Sequence, residues 1–474
     1  MTKSLKLTRT IPVIADVDVL VVGGGIAGCT AAVTAARNGA KVMLIERFGS
    51  LGGNMGPGMF SGAPSLEYPK SMPNGLEGIP GELVRRCEAI TNAPLLSHYF
   101  RDSQVVSYVW LTMMQEDGVQ LLLNTYAADP IMDGDRVVGL VVENKSGAQA
   151  IHAKLTIDAT GDADVAARAG APIDDGNGYS HPGMYFAMDN VDIGKFQGEV
   201  AAQDAEPGDL EWAEDLFARE FGVARWASGR LRPLIRYFRP AWEMGEYRIV
   251  QRIGDLGFVL IDHGIYVGPS NTTNPIPGQR SYGILGAQVG VHGPGLLSGD
   301  ASIMTQLEIG ARMYIFETAR FLRRRVPGFE DAYLHVIAPY FHSRGGRSII
   351  SEHPITPEEA KQGRRFDDVV FLCYERETGL NMENGFDFPY RQLLPQRIDA
   401  LLVTGRAAII QPPVNRSRWK VFLMGQATGA AAALAIRDGV LPRSLEVRKL
   451  QRLLYDSYHV PFGDQERLQE LGLV

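Results

Sequence analysis

The sequence predicts an α/β fold in which a parallel-sheet domain is assembled from both chain ends and a mixed α+β substrate domain is inserted between them. Three observations predict it. A strand, a glycine turn, a helix and a second strand follow one another within residues 18–46. The same character returns near the C-terminus, where Ala400–Val403 reads as a strand, Thr404-Gly405-Arg406 as a turn and Lys420–Arg437 as a helix of small residues. The chain between is richer in aromatics and arginine and has weaker periodicity. The expected division is 1–175 with 385–474 for the first domain and 176–384 for the insert.

Bulk composition bounds the function. The chain has 474 residues, 45% hydrophobic and 21% charged, values ordinary for a globular enzyme with a sizeable core. A net charge of −7 argues against nucleic acid as a partner, because phosphate backbones demand concentrated Lys and Arg. Cys29, Cys87 and Cys373 have no CxxC spacing, so free thiols in a reducing compartment are expected. The N-terminal stretch lacks the apolar core of a signal peptide, and no run has the length of a membrane span. The expectation is a cytoplasmic enzyme, a possible homo-oligomer, acting on a small molecule.

The elements follow in order. Asp18–Val22 is β-branched and reads as a buried strand. Gly23-Gly24-Gly25 turns the chain into a helix from Ile26 that Asn38-Gly39 stops, and Lys41–Ile45 is the next strand. Residues 49–81 read as a long glycine-rich loop and 82–117 as largely helical. Strands are expected at Gln120–Asn124, Arg136–Asn144, Gln149–Ala153 and Leu155–Ala159, the last ending in Thr160-Gly161-Asp162. Residues 302–325 form one long helix, with Arg323-Arg324-Arg325 complementing the dipole at its C-terminal end.

The first strand–turn–helix carries the chemistry. A pyrophosphate needs backbone N–H donors and a positive helix end, which a turn supplies only where no Cβ blocks approach. Gly23 permits the tight turn, Gly25 the close approach, and Gly28 the packing of helix on strand. Ile26 and Ala27 complete the turn, and Glu46 ends the next strand, where an acid takes hydrogen bonds from a ribose 2′-OH. A glycine-rich turn of an unrelated α/β fold is the competing reading. Three features favour FAD over a nicotinamide cofactor. Arg47 and Leu51-Gly52-Gly53-Asn54 let the chain run beside an extended cofactor, the Asp158–Asp162 strand end approaches the adenine half, and Met424–Gly429 follows a strand and turn. A second GxGxxG after a strand is absent, which disfavours separate FAD and NAD(P)H sites.

Several segments together resemble a known family: VVGGGIAGCTAAVTAARNGAKVMLIERFGSLGGN (21–54), TIDATGDADVAARAGAP (156–172), VPGFEDAYL (326–334), GRRFDD (363–368), FPYRQLLPQRIDALLVTGR (388–406) and MGQATGAAAALA (424–435). The chain resembles FAD-dependent oxidoreductases related to the succinate dehydrogenase/fumarate reductase flavoproteins, within the wider glutathione-reductase-like group. The resemblance implies a Rossmann-like FAD-binding domain. It implies Gly23, Gly25 and Gly28 at the pyrophosphate, Glu46 at the ribose, and Arg47 with Gly52, Gly53 and Asn54 along the cofactor. It places Ala127, Ala159, Thr160, Gly161 and Asp162 around the adenine half, and Gly405 and Arg406 at the pyrophosphate. It brings Gly425, Gln426 and Ala427 to the flavin ring by backbone amides. One departure stands out: many relatives carry Arg-Glu-Ser/Thr-Arg-Arg where this chain has Arg344-Gly345-Gly346-Arg347-Ser348.

The expected activity is dehydrogenation or reduction of a small polar or anionic organic molecule, with hydride exchanged at flavin N5. An O₂-reactive oxidase or monooxygenase and a non-catalytic electron-transfer subunit are the alternatives. Candidate catalytic residues are His342, Arg391 and Arg418, the arginines because a guanidinium fork suits a carboxylate. Arg391 has a salt bridge to Asp387 as its competing role, and each His has a structural one. His353, Arg344 and Arg416 lie in the same neighbourhoods, and Cys29 reads as a small core residue. No metal-ligand spacing is present.

Overall fold

The computed structural model describes residues 6, 8–59, 77–91, 103–175, 183–221, 232–253, 256–260, 266–268, 283–292, 299–341, 345–373, 385–409 and 418–474. Its strands are β1 (Val13–Val22), β2 (Val42–Ile45), β3 (Gln120–Leu122), β4 (Tyr126–Asp133), β5 (Arg136–Asn144), β6 (Gly147–Asp158), β7 (Ile173–Asp174), β8 (Gly183–Val191), β9 (Val250–Ile253), β10 (Leu256–Leu260), β11 (Tyr266–Gly268), β12 (Gly283–His292), β13 (Tyr333–Ile337), β14 (Ser348–Ile349), β15 (Val369–Cys373), β16 (Phe386–Pro389) and β17 (Leu401–Val403). Its α-helices are α1 (Ile26–Arg37), α2 (Gly78–Thr91), α3 (Ser103–Glu116), α4 (Asp164–Arg168), α5 (Ile193–Phe196), α6 (Pro207–Phe221), α7 (Ile235–Glu243), α8 (Ala301–Arg325), α9 (Pro357–Lys361), α10 (Arg418–Asp438), α11 (Val447–Tyr458) and α12 (Gln465–Glu470).

The first sheet runs β3-β2-β1-β6-β5-β4, with β17 also paired to β6. Pairing is parallel from β3 through β6 and on to β17, and antiparallel along β6-β5-β4. One long strand therefore carries two neighbours on one side. Residues 147–152 of β6 pair with β5, and residues 156–158 pair with β17 from the far end of the chain. This is how both termini build one sheet. The strands expected at Gln149–Ala153 and Leu155–Ala159 are a single strand. Lys154 between them keeps the in–out alternation, pointing out to Asp18 at 2.7 Å.

The second sheet, β13-β8-β12-β10-β9 with β11 on β12, is antiparallel throughout. Helix α8 packs on it with Leu307, Ala311, Tyr314, Ile315 and Leu322 buried. Asp300 caps α8, accepting from the amides of Ser302 and Ile303. Tyr247, fully enclosed, reaches Tyr314 at 3.1 Å and Thr318 at 2.8 Å, and stacks on Phe321, so it is a core residue of the insert.

Each sheet has its own core. The first gathers Val19–Val22, the small face of α1, Trp110, the strands β6 and β17 and almost all of α10; the second gathers Phe186, Phe238, Tyr247, Tyr314 and Phe321. Ile349, Ile355, Phe366, Val369 and Phe371 pack into the first core, so that core also draws on chain that precedes residue 384. Among the described residues, Trp419–Asp438 is the one helix long and apolar enough to cross a membrane, and 89% of its apolar window is buried in the fold, as befits a core helix.

Candidate functional site

Three strands end level. Val22 is in register with Asp158, and Asp158 with Val403, so the turns after β1, β6 and β17 open at one edge of the sheet. Close packing there demands glycine. Gly23 has φ +106°, and a Cβ on it would lie 2.6 Å from the Ala159 carbonyl oxygen. A Cβ on Gly28 would fall far inside contact with the Gly23 carbonyl oxygen and would meet the Ala159 methyl at 3.1 Å. Gly25 differs: its Cβ position has nothing within 4 Å.

That open space lies at the head of α1. Gly25 is the N-cap and offers no side-chain cap, so the amides of Ile26, Ala27 and Gly28 have no acceptor within the helix. Such a terminus attracts an anion. The strap Leu51–Gly53 lies against the turn, with Gly52 donating its amide to the Gly24 carbonyl at 2.8 Å. A Cβ on Gly53 would come within 2.8 Å of the Gly25 Cα.

Glu46 ties turn to strap. Its carboxylate accepts from the Gly24 amide at 2.6 Å and the Phe48 amide at 2.9 Å. Burial pushes this carboxyl above its ordinary value, against the pull of those amides and of neighbouring Arg47. Each oxygen keeps a further lone pair, which is what a ribose hydroxyl needs. Arg47 itself is exposed, stacks over Phe48 and Tyr340, and makes no ion pair among the described residues. Tyr340, from the chain after β13, stacks on Phe48 with ring centroids 4.7 Å apart and donates to the Asn54 side chain at 3.2 Å. The insert is thereby seated on the strap.

The opposite wall is an ionic clasp. Arg406 donates to Asp162 at 2.6 Å and to the Gly345 carbonyl at 2.5 Å. Arg347 donates to the Asp162 carbonyl at 2.6 Å and to Asp164 at 2.5 Å. Burial and the nearby Asp162 charge raise the Asp164 carboxyl, while Arg347, Arg168 and Arg47 lower it. Asp158, fully buried, shapes the turn: it accepts from the Thr160 amide and hydroxyl and from the amides of Val165 and Ala166 at the head of α4. Arg168 donates to the carbonyls of Ala127 and Ala128, holding β4 beside this wall.

The expected cofactor residues thus divide. Gly23, Gly25, Ile26, Ala27, Gly28, Glu46, Gly52, Gly53, Asn54, Ala159, Thr160, Gly161, Asp162, Gly405 and Arg406 surround one edge, and Arg47 flanks it. The amides of Gly425, Gln426 and Ala427 are corrected. They lie in the second and third turns of α10, inside its own hydrogen-bond ladder, with none free for a flavin. Gly425 and Gly429 pack on α1: a Cβ on either would press into the Ala27 or Ala31 backbone. Gln426 accepts from the Ile79 amide at 3.0 Å at the start of α2. The positive end of α10 lies toward Arg418, seven residues before Gly425.

Of the catalytic candidates, His342 lies outside the described residues, as do Arg344 and Arg416. Arg418 opens α10, and its side chain is likewise outside them. Arg391 is fixed elsewhere: both arms of its fork bind Asp368, at 2.8 and 3.0 Å, and not Asp387. Asp387 instead takes Arg365 and Arg467. That pair occupies the Nε–Nη2 edge of the guanidinium and gives Arg391 a structural role within the fold. His353 sits 3.3 Å from Glu359 and edge-on to Phe366. Burial raises the Cys29 thiol well above its ordinary value, as suits a core residue. Phe48, Tyr340 and Arg347 were not among the expected site residues, and Asp158 was expected only as the start of a backbone approach to the adenine half. Arg347 had a local signal, as one of two arginines kept in the otherwise altered 344–348 segment.

An uncapped helix head beside three level strand ends, a buried acid and a glycine strap suit a dinucleotide, and the residues present fit FAD. The profile of the FAD dependent oxidoreductase family matches residues 18–454, and the chain belongs to that family of enzymes. A digeranylgeranylglycerophospholipid reductase 2 from Methanothermobacter thermautotrophicus is 30% identical over 207 residues, covering 41% of this chain and 49% of that protein. The match thus spans about half the length of that relative. A thiamine thiazole synthase from Methanococcus aeolicus is 30% identical over 215 residues, 43% of this chain and 72% of that one. Among solved structures, a geranylgeranyl bacteriochlorophyll reductase-like protein from Thermoplasma acidophilum covers 94% of this chain and 84% of its own at 14% identity, with a TM-score of 0.42.

Proposed function

We propose that this enzyme is an FAD-dependent dehydrogenase or reductase that exchanges hydride between flavin N5 and a small polar or anionic organic molecule. One observation carries the reading: two helices present their positive ends to the same edge. Ala27 faces Gly425 and Ala31 faces Gly429, so α1 and α10 run parallel. The described part of helix α10 opens at Arg418, six residues before the position level with the start of α1, so α10 extends at least about 9 Å further out at 1.5 Å per residue. An extended cofactor with a phosphate group at one point and a ring some distance along suits that offset.

Bound FAD supplies reversible two-electron chemistry. The amides of Ile26–Gly28 face the negative pyrophosphate, and Glu46 orients the ribose. The positive end of α10 would favour negative charge on the ring, which accompanies its reduction. Tyr340 and Phe48 bring the insert against the strap, which supports a substrate site between the domain of 1–175 with 385–474, whose core also takes in residues 349–371, and the rest of the 176–384 insert. The three buried free thiols support a cytoplasmic setting.

The test is spectroscopic. The FAD-loaded enzyme is mixed anaerobically with a panel of small hydroxy, amino and unsaturated acids, and the flavin absorbance is followed. Bleaching by one class, with slow recovery in air, supports the proposal. Rapid recovery with release of peroxide identifies an oxidase instead. No bleaching by any compound, with electron exchange to a partner protein, identifies an electron-transfer subunit.

A further inference from the structure

We propose that the outward face of α8 is a docking surface for an anionic lipid bilayer. The inner face of this helix belongs to the core of the insert. Its outer face should be polar in a helix that meets only water. It is not: Ile309, Met313 and Phe316, spaced by four and three, lie along one outward line and are 56%, 61% and 61% exposed. Continuing that line by one turn and two turns brings Arg320, then Arg323 and Arg324. None of these three arginines makes an ion pair among the described residues, whereas Arg325, off the line, pairs with Glu246. Toward the other end the line holds Ser302, Thr305 and Gln306. No carboxylate lies on it: Glu308 is turned toward Arg312, and Glu317, at the margin, bonds Gln251.

Charge decides between occupants. A second copy of the chain would bring α8 against α8. Packed antiparallel about Met313, the arginines of each helix would meet Ser302, Thr305 and Gln306 of the other, with no counter-charge. Packed parallel, they would meet arginines. Neither arrangement compensates three cations. A partner protein needs on the order of 1,200 Å² of buried surface for a stable complex, and three side chains on a convex helix supply about a quarter of that. A bilayer interface asks for less. Apolar side chains enter between headgroups while arginine stems lie flat and place their charge among lipid phosphates. The chain as a whole is acidic, at −7, so attraction to an anionic surface has to come from local basic patches such as this one, which would then fix orientation.

The FAD-loaded full chain is sedimented with phosphatidylcholine vesicles with and without phosphatidylglycerol, at low and raised salt. The expected result is co-sedimentation with the anionic vesicles only, weakened by salt. The Arg320→Gln/Arg323→Gln/Arg324→Gln variant should reduce partitioning on the order of a hundred-fold, at about five-fold per cation. Met313→Glu/Phe316→Glu should abolish it while leaving the flavin spectrum and the melting temperature unchanged. The proposal is overturned if the wild type stays in the supernatant, or if M313E/F316E still binds. It is also overturned if light scattering shows a dimer that M313E/F316E dissociates, since the occupant is then a second copy. Saturable binding of an acidic protein without any vesicle binding would equally overturn it.

Discussion

Gly25 and Gly28 stand three residues apart in one motif, yet the structure gives their alanine variants opposite consequences. At Gly25 the backbone is at φ −74° and ψ −176°, which alanine adopts freely, and the added methyl meets nothing within 4 Å. Reduced chain entropy in the unfolded state stabilises by about 0.4–1 kcal/mol. Alanine as an N-cap costs about the same relative to glycine. The two offset, so the apoprotein of Gly25→Ala should unfold within about 0.5 kcal/mol of the wild type. The methyl does occupy the space through which an anion reaches the amides of Ile26–Gly28. Weakening one charge-assisted hydrogen bond there costs about 1.5–3 kcal/mol, or about 10- to 100-fold in affinity for FAD. At Gly28 the methyl runs into the Gly23 carbonyl oxygen and Ala159, which are backbone and strand end and cannot swing aside. Overpacking of that kind costs about 3 kcal/mol or more. Thermal unfolding of the apoproteins, beside titration of FAD by quenching of its fluorescence, reads both quantities. If Gly25→Ala binds FAD as tightly as wild type, or if its apoprotein melts as early as Gly28→Ala, the open space at Gly25 is not the pyrophosphate site.

Other outcomes follow from the same geometry. Arg391→Gln removes a half-exposed fork from Asp368, so it should cost no more than about 1 kcal/mol in denaturant unfolding and leave the rate of flavin bleaching by substrate unchanged; a large fall in that rate would return Arg391 to the catalytic list. Glu46→Gln replaces an acceptor of two buried amides by a group with one acceptor oxygen. Apoprotein stability should fall by about 1–3 kcal/mol and FAD affinity with it, and a variant indistinguishable from wild type in both would exclude the tie between turn and strap. Because burial holds the Cys29 thiol far above its usual value and Cys87 and Cys373 are also buried, the native protein should take up no aromatic disulfide reagent at neutral pH and all three thiols should react in denaturant. Rapid native labelling of even one would contradict the packing.

What was legible in the sequence is what local physics dictates. The β1–α1–β2 unit needs a β-branched run, a glycine turn and an alanine-rich helix, all within thirty or so residues, and Glu46 falls where a strand of that length must end. The long helix α8 was legible from its periodicity and basic last turn, to within a residue of its observed start at Ala301. The misplaced and missed residues depend on pairings that no local pattern contains. Arg391 has acids on either side in sequence, and only the fold of β15 against β16 decides that Asp368, not Asp387, faces it. Tyr340 reaches Phe48 and Asn54 across almost three hundred positions. Asp158 reads as part of a buried strand over Leu155–Ala159, and the two of its four hydrogen bonds that come from Val165 and Ala166 become visible only once α4 is folded back on it.

Gly425 marks where the local logic failed and how it can be mended. A glycine near a cofactor helix has two uses, opening a turn to a ligand or letting two helices touch, and the sequence around Gly425 was read for the first. The second has its own signature: small residues four apart on one helix answered by small residues four apart on another, as Gly425 and Gly429 answer Ala27 and Ala31. That contact is not remote from the chemistry. It sets how α10 stands relative to α1, and hence the separation of the two positive ends that FAD would span in the proposed seat. Gly429→Ala therefore gains about 1 kcal/mol of helix propensity while forcing the helices apart against the Ala31 backbone. FAD should bind less tightly although residue 429 lies about three turns from the helix head. If FAD affinity and the flavin spectrum survive that substitution unchanged, the spacing of α1 and α10 does not set the cofactor's seat. The site would then have to be rebuilt on the glycine turn and strap alone.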